Sequence, residues 1–282
     1  MKIISAILLS TLFIQPVFAG EDTDMPDAEY LKVCADPYML PFSNKKEEGY
    51  ENKIAQLLAK KLGLKLKYEF FPQRMGFIRN TLRAESEEGK GYKCDLVISV
   101  PSAFELAATT DPYFRSTYML VFAKGRGLDD VTEPEMLAKI VRDNGLDIKI
   151  GLPDRGSPAQ LWVFYQELMS YMVPYQGQPS DIKVDPGHTL MEDIVDGKID
   201  AAVIWGPSAG YYANKYKDRA ELVLLPLRDG TKKNPEMKFT YNFSMGVRYG
   251  EKAWKEKINT LIKENIAEIE KILTDYGVPL IK

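Results

Sequence analysis

The sequence predicts an α/β protein of two lobes, each a mostly parallel sheet flanked by helices, with a cleft between the lobes. Strand-like segments alternate with segments whose apolar residues recur three and four apart, the pattern of β-α-β units. A second such series begins near Ile148. A last extended run and a long apolar-striped helical region then close the chain. Together these give a lobe I of residues 28–124 and 240–282, with a lobe II of residues 125–239 inserted and a hinge near Ala123 and Thr240.

Residues 31–35 read as a short buried strand. Ile54, Leu57, Leu58 and Leu62 share one face of a helix over 52–62, and Gly63 fits the position just past its end. Leu64, Leu66, Tyr68 and Phe70 alternate with Lys65, Lys67 and Glu69, as in a half-buried strand. Residues 75–84 read as helix and 95–100 as the third strand. In the second series 148–152 reads as a strand and 153–157 as a turn, with Ser157 as N-cap and Pro158 at the first helical position. Strands follow at 182–184, 200–204 and 221–225. Helices separate them, one through Leu190, Ile194 and Val195 to Gly197 and one from Pro207. A polar loop over 228–236 leads to an extended run at 239–247. One helical region over 251–274 carries Trp254, Ile258, Leu261, Ile262, Ile266, Ile269 and Leu273 on its apolar stripe.

Residues 1–19 have the form of a secretory signal: Lys2, then an apolar run from Ile3 to Ile14, then Val17-Phe18-Ala19 before the cleavage point. The run is shorter than the ~20 residues that span a bilayer, and no later segment is long and apolar enough. The expectation is an exported chain without membrane insertion. Without residues 1–19 it has 263 residues, 36 basic and 40 acidic, a net of −4. That balance excludes the basic surface of a nucleic-acid-binding domain. The two cysteines, Cys34 and Cys94, fall on strands that would be neighbours in a doubly wound sheet. In an oxidising compartment a disulfide is expected between them, two buried thiols being the alternative.

Catalytic signatures are sparse. A single histidine, His188, does not supply a His-based triad or a multi-His metal site. There is no phosphate-binding Gly-rich loop, no dinucleotide fingerprint after the first strand and no Ca²⁺-loop spacing. The expectation is a protein that is not an enzyme and holds neither cofactor nor metal.

Asp111-Pro112-Tyr113 followed by residues 118–125 resembles the crossover of type II periplasmic solute-binding proteins, the amino-acid receptor family. More specific phrases lie at 33–44, 49–55, 72–82, 113–118 and 203–211, with Pro72-Gln73-Arg74-Met75-Gly76-Phe77 the most distinctive. Over nearly the whole chain after residue 19 they resemble the solute-binding-like proteins associated with quinoprotein dehydrogenases, the methanol-oxidation J family, and the Cys pair belongs to that pattern. The resemblance implies a two-lobed type II periplasmic binding-protein fold. It also implies a partner, methanol dehydrogenase dependent on pyrroloquinoline quinone, whose maturation or activation the family assists. The alternative is the substrate-binding component of a transporter for a small solute.

Two departures from amino-acid receptors support the first reading. The Arg that clamps a ligand carboxylate is missing from Val100-Pro101-Ser102-Ala103-Phe104-Glu105-Leu106. The Asp that pairs with the ligand amine is replaced by Trp205-Gly206-Pro207. An unpaired buried charge costs several kcal/mol, so free amino acids are poor ligands for such a cleft. The candidate cleft residues are Asp36 and Tyr38 after the first strand, Arg74 and Arg79 beside the second, and Arg115 after the Asp-Pro-Tyr turn. Lobe II would add Ser157 and Trp205. Arg donors, one acid and an aromatic wall would suit an anion or a peptide segment of a partner. Equally, Arg74 and Arg79 could brace the lobe against Asp36 or Glu51, Arg115 could be structural and Trp205 could be core.

Overall fold

The computed structural model describes residues 26–282 except 88, 90, 154–156, 178–179 and 231–233. The expected signal at 1–19 therefore lies outside the described residues, as does part of the turn before Ser157.

The first lobe contains β1 (Tyr30–Ala35), a small ribbon of β2 (Tyr38–Met39) and β3 (Ser43–Asn44), α1 (Tyr50–Leu62), β4 (Lys65–Phe70), the one-turn α2 (Phe77–Asn80), β5 (Leu96–Pro101) and β6 (Ala108–Thr109). The long β7 (Phe114–Ala123) enters the second lobe. There follow α3 (Met136–Asp143), β8 (Ile150–Pro153), α4 (Pro158–Tyr165), β9 (Met172–Tyr175), α5 (Pro186–Val195), β10 (Ala201–Trp205), α6 (Gly206–Tyr216) and β11 (Leu222–Pro226). The chain returns through β12 (Thr240–Val247) and ends with α7 (Lys252–Glu264) and α8 (Ile266–Asp275).

One sheet runs through both lobes in the order β4-β1-β5-β12-β7-β10-β8-β9, with β6 beside β12 and β11 beside β7. β1 is parallel to β4 and β5, and β8 is parallel to β9 and β10. The crossing strands are antiparallel. Residues 114–117 of β7 pair with β12, while 118–123 pair with β10 and β11. The chain thus changes partner inside β7, between Thr117 and Tyr118, and not at Ala123. The buried Thr117 hydroxyl sits at that point, 2.8 Å from the Leu227 carbonyl and 3.1 Å from that of Phe239. Residues 118–123 are apolar throughout, so no change of pattern marks the switch.

Each lobe has its own apolar core. Lobe I packs α1, α7 and α8 on β1 and β5 through Ile54, Leu58, Leu96, Ile258 and Ile269. Lobe II covers both faces of its sheet, one with Trp162, Val163 and Phe239, the other with Leu190, Ile194 and Tyr212. A disulfide joins Cys34 of β1 to Cys94, just before β5, with the Cα atoms 5.4 Å apart and both residues buried.

Three local expectations differ from the structure. The helix expected over 75–84 shrinks to one turn, because Gly76 enters it with φ 89° and Thr81 leaves helical geometry while its hydroxyl bonds the Phe77 carbonyl. Residues 182–184 form a turn and not a strand; the sheet edge is β9, ten residues earlier. The C-terminal helical region is two helices, broken at Asn265, whose side chain donates to the Leu261 carbonyl.

The C-terminal tail straps the crossing region. Ile281 donates its N–H to the Arg115 carbonyl, and the Ser116 hydroxyl donates to that of Pro279. Glycines in α6 make room for the tail: a Cβ on Gly210 would lie 1.8 Å from the Gly277 carbonyl oxygen, and one on Gly206 would lie 2.7 Å from Pro279. Gly210→Ala is expected to destabilise the protein by about 2–3 kcal/mol, because backbone must move to relieve the overlap. Urea unfolding would measure this, and an unchanged midpoint would mean that the tail is free to shift.

Candidate functional site

The two lobes meet over a cavity of about 110 Å³ at the carboxyl ends of the strands, where open α/β sheets bind ligands. Lobe I contributes Asp36, Tyr38, Gln73 and Arg74; lobe II contributes Ile182, Val184 and Asp185. Asp36 directly follows β1 and is only 4% exposed. Its carboxylate accepts the Tyr38 N–H at 2.7 Å and the Gln73 N–H at 2.5 Å. Burial raises its pKa, against the pull of those two N–H groups and the nearby Arg74 guanidinium.

Asp185 faces it from lobe II as the N-cap of α5. Its carboxylate accepts the Gly187 and His188 N–H groups and the Tyr212 hydroxyl. Burial raises this pKa too, opposed by the same hydrogen bonds. The Tyr212 hydroxyl also reaches the Leu40 carbonyl of lobe I at 3.4 Å, a polar contact between the lobes. Both acids are therefore engaged by their own lobe's backbone, and neither presents itself as a bare anchor for a ligand amine.

The seven candidate residues divide. Asp36, Tyr38 and Arg74 line one cavity. Arg79 is exposed on α2, away from it. Arg115 lies on β7 and pairs with Asp229 at 3.8 Å, linking the crossing strand to the loop after β11. Ser157 caps α4: its hydroxyl accepts the Gln160 N–H at 3.3 Å and donates to the Pro153 carbonyl at 3.1 Å. Trp205 ends β10 within an aromatic wall, its ring 5.4 Å from Tyr118, 5.5 Å from Phe243 and 6.1 Å from Tyr241. That wall lies where β7, β10 and β12 meet. Trp205 is thus held by ring packing at the end of β10.

The sequence reading missed Gln73, Asp185 and Tyr212. Asp185-Pro186-Gly187 does carry an N-cap followed by Pro, the signature of a helix start. Placing a strand at 182–184 obscured it. Ile182 and Val184 are each 42% exposed because they rim the cleft instead of filling a sheet.

Two α/β lobes, joined by antiparallel crossing strands around a cleft at the strand ends, define a type II periplasmic binding protein. No family model matches the chain. The crystal structure of the periplasmic binding protein XoxJ from Methylobacterium extorquens AM1 superposes with a TM-score of 0.69 at 32% identity, over 89% of this chain and 99% of that one. Protein MoxJ of Methylorubrum extorquens is 26% identical over 263 residues, 91% of this chain and 83% of the relative. Protein MoxJ of Paracoccus denitrificans is 25% identical over 267 residues, 91% of each chain. The chain belongs to the MoxJ/XoxJ family of periplasmic binding proteins.

Proposed function

We propose that this protein is a periplasmic accessory factor that assists maturation or activation of a methanol dehydrogenase dependent on pyrroloquinoline quinone. In this reading residues 1–19 direct export and the remaining chain acts in the periplasm. The observation that carries the proposal is the state of the cleft within a family match that spans the chain. Its facing carboxylates, Asp36 and Asp185, are engaged by their own lobes, and Trp205 packs where a receptor would hold an amine. A binding-protein fold without a conventional solute anchor suits a protein that engages another protein, since the fold alone does not set the function. Of the three candidate arginines, Arg74 is the one we place at the docking face, with Asp36 holding the adjoining turn through the Gln73 N–H.

The test is a pull-down with the mature chain from periplasmic extract of methanol-grown cells of the source organism, with mass spectrometry of captured proteins and released small molecules. Dehydrogenase subunits are expected, without a stoichiometric small molecule. A stoichiometric small molecule without dehydrogenase would overturn the proposal in favour of a transport receptor.

A further inference from the structure

Outside the small cavity the cleft widens into an open groove of about 610 Å³, bordered by both lobes. Lobe I supplies Lys45 and Lys46 from the turn after β3; lobe II supplies Lys183 from the loop before α5 and Lys215 from the end of α6. All four are exposed, and none makes an ion pair among the described residues. The Lys45 ammonium stands 6.0 Å from the Tyr38 ring centre, and that of Lys215 stands 5.4 Å from Tyr212. The groove also holds two acids, Glu48, which accepts from the Asn44 amide, and Asp185, held as described above; their partners are uncharged, so four lysines stand against two carboxylates. The groove is thus positive on a chain whose net charge is −3. Such a local inversion of sign attracts and orients an anionic partner.

The form of the positive charge narrows the occupant. The four donors are point charges on flexible stems, spread over two lobes, with no rigid guanidinium fork converging on one point. That spread suits several carboxylates distributed along a chain better than one compact anion. Val184, exposed beside Lys183, lines the groove and adds an apolar contact there, while Ile182 lines the adjoining small cavity that Val184 shares. We infer that this groove receives an extended acidic peptide segment of the partner protein, its carboxylates on Lys45, Lys46, Lys183 and Lys215 and an apolar side chain against Val184. The inference rests on the accessory role proposed above and names the chemistry of the surface that role would use.

The test measures binding of a short fluorescein-labelled peptide alternating glutamate with valine to the mature chain, by fluorescence anisotropy across a salt series. A glutamine-for-glutamate peptide is the control and citrate the free-anion competitor. The acidic peptide is expected to bind, to weaken with salt and to lose at least about tenfold in affinity in the variant Lys45→Gln, Lys46→Gln, Lys183→Gln, Lys215→Gln. The paired variants Lys45→Gln with Lys46→Gln and Lys183→Gln with Lys215→Gln should each show part of the loss. All four positions are exposed, so each variant should keep the wild-type melting curve, which is checked first. No binding, equal binding by the fourfold variant or by the glutamine peptide, or displacement by citrate at peptide-like concentration would overturn the inference. The same pull-down separates the two proposals. Dehydrogenase captured equally by wild type and fourfold variant sinks the groove and leaves the accessory role standing. Capture by neither sinks the accessory role, whatever the peptide does.

Discussion

Replacing Cys34 and Cys94 together by alanine is expected to lower stability by about 4 kcal/mol in the chain-entropy model of a cross-link. The bridge closes a segment with a sequence separation of 60, so its removal restores considerable freedom to the unfolded chain. The native geometry has independent support. β1 and β5 remain paired in the sheet, and the buried Arg248 guanidinium donates to the Cys94 and Leu82 carbonyls and pairs with Asp95 at 2.6 Å. The variant should therefore fold to the same structure and unfold earlier, its midpoint falling by roughly 10 °C for a domain of this size. Calorimetry of the double variant beside wild type, and of wild type with reductant, would measure it. An unchanged midpoint would show that the bridge adds nothing to the sheet contacts already present.

The second large effect is a pH dependence set by Glu51. This residue lies in the first turn of α1, 5% exposed, and one of its carboxylate oxygens has no hydrogen-bond partner. A helix N-terminus favours a negative charge by about 0.3–1 kcal/mol, whereas desolvating a carboxylate costs several. Burial wins. Desolvation, with a smaller push from Asp36 and an opposing contribution from the Ser99 hydroxyl, raises the Glu51 pKa from 4.5 to about 8. The folded protein then keeps a proton that the unfolded chain releases. The resulting stabilisation is fully present below pH 4.5 and is lost as pH rises through about 8. Across that window the loss is on the order of 5 kcal/mol, at about 1.4 kcal/mol per pH unit. Glu51→Gln keeps the shape and removes the proton equilibrium. The stability difference between wild type and Glu51→Gln, from urea unfolding at a series of pH values, should therefore shift steadily against the wild type from pH 5 to pH 8. A difference that stays flat over this range would contradict the account. Asp36 and Asp185 also have raised pKa values, but they titrate in both proteins and cancel in the comparison.

Much of lobe I was legible because its signals are local. Alternation at 64–70 and the apolar face of 52–62 depend only on neighbouring residues, and β4 and α1 stand there. The Cys34–Cys94 bridge was legible once adjacent strands were inferred. The failures share a physical origin. At 182–184 two apolar residues around a lysine imitate a strand, yet they face a cleft formed by another part of the chain. At Asn265 one residue ends a helix although the apolar stripe continues through Ile266 and Ile269.

The division is sharpest among the candidate site residues. Arg74, Arg79 and Arg115 are the same residue type, one after the second expected strand, one in the expected helix beside it and one after the Asp-Pro-Tyr turn, and nothing local ranks them. Tertiary structure places Arg74 in the cleft, leaves Arg79 exposed and ties Arg115 to Asp229. Alternation of strands and helices and the cysteine pair are properties of short segments, so the sequence by itself determined the two-lobed α/β class. The pairing of Asp36 with the Gln73 N–H, the approach of Asp185 from the other lobe and the gathering of four lysines along one groove join positions distant in the chain. Only folding brings such groups within hydrogen-bonding or Coulomb range, and that proximity decided the chemistry of the cleft.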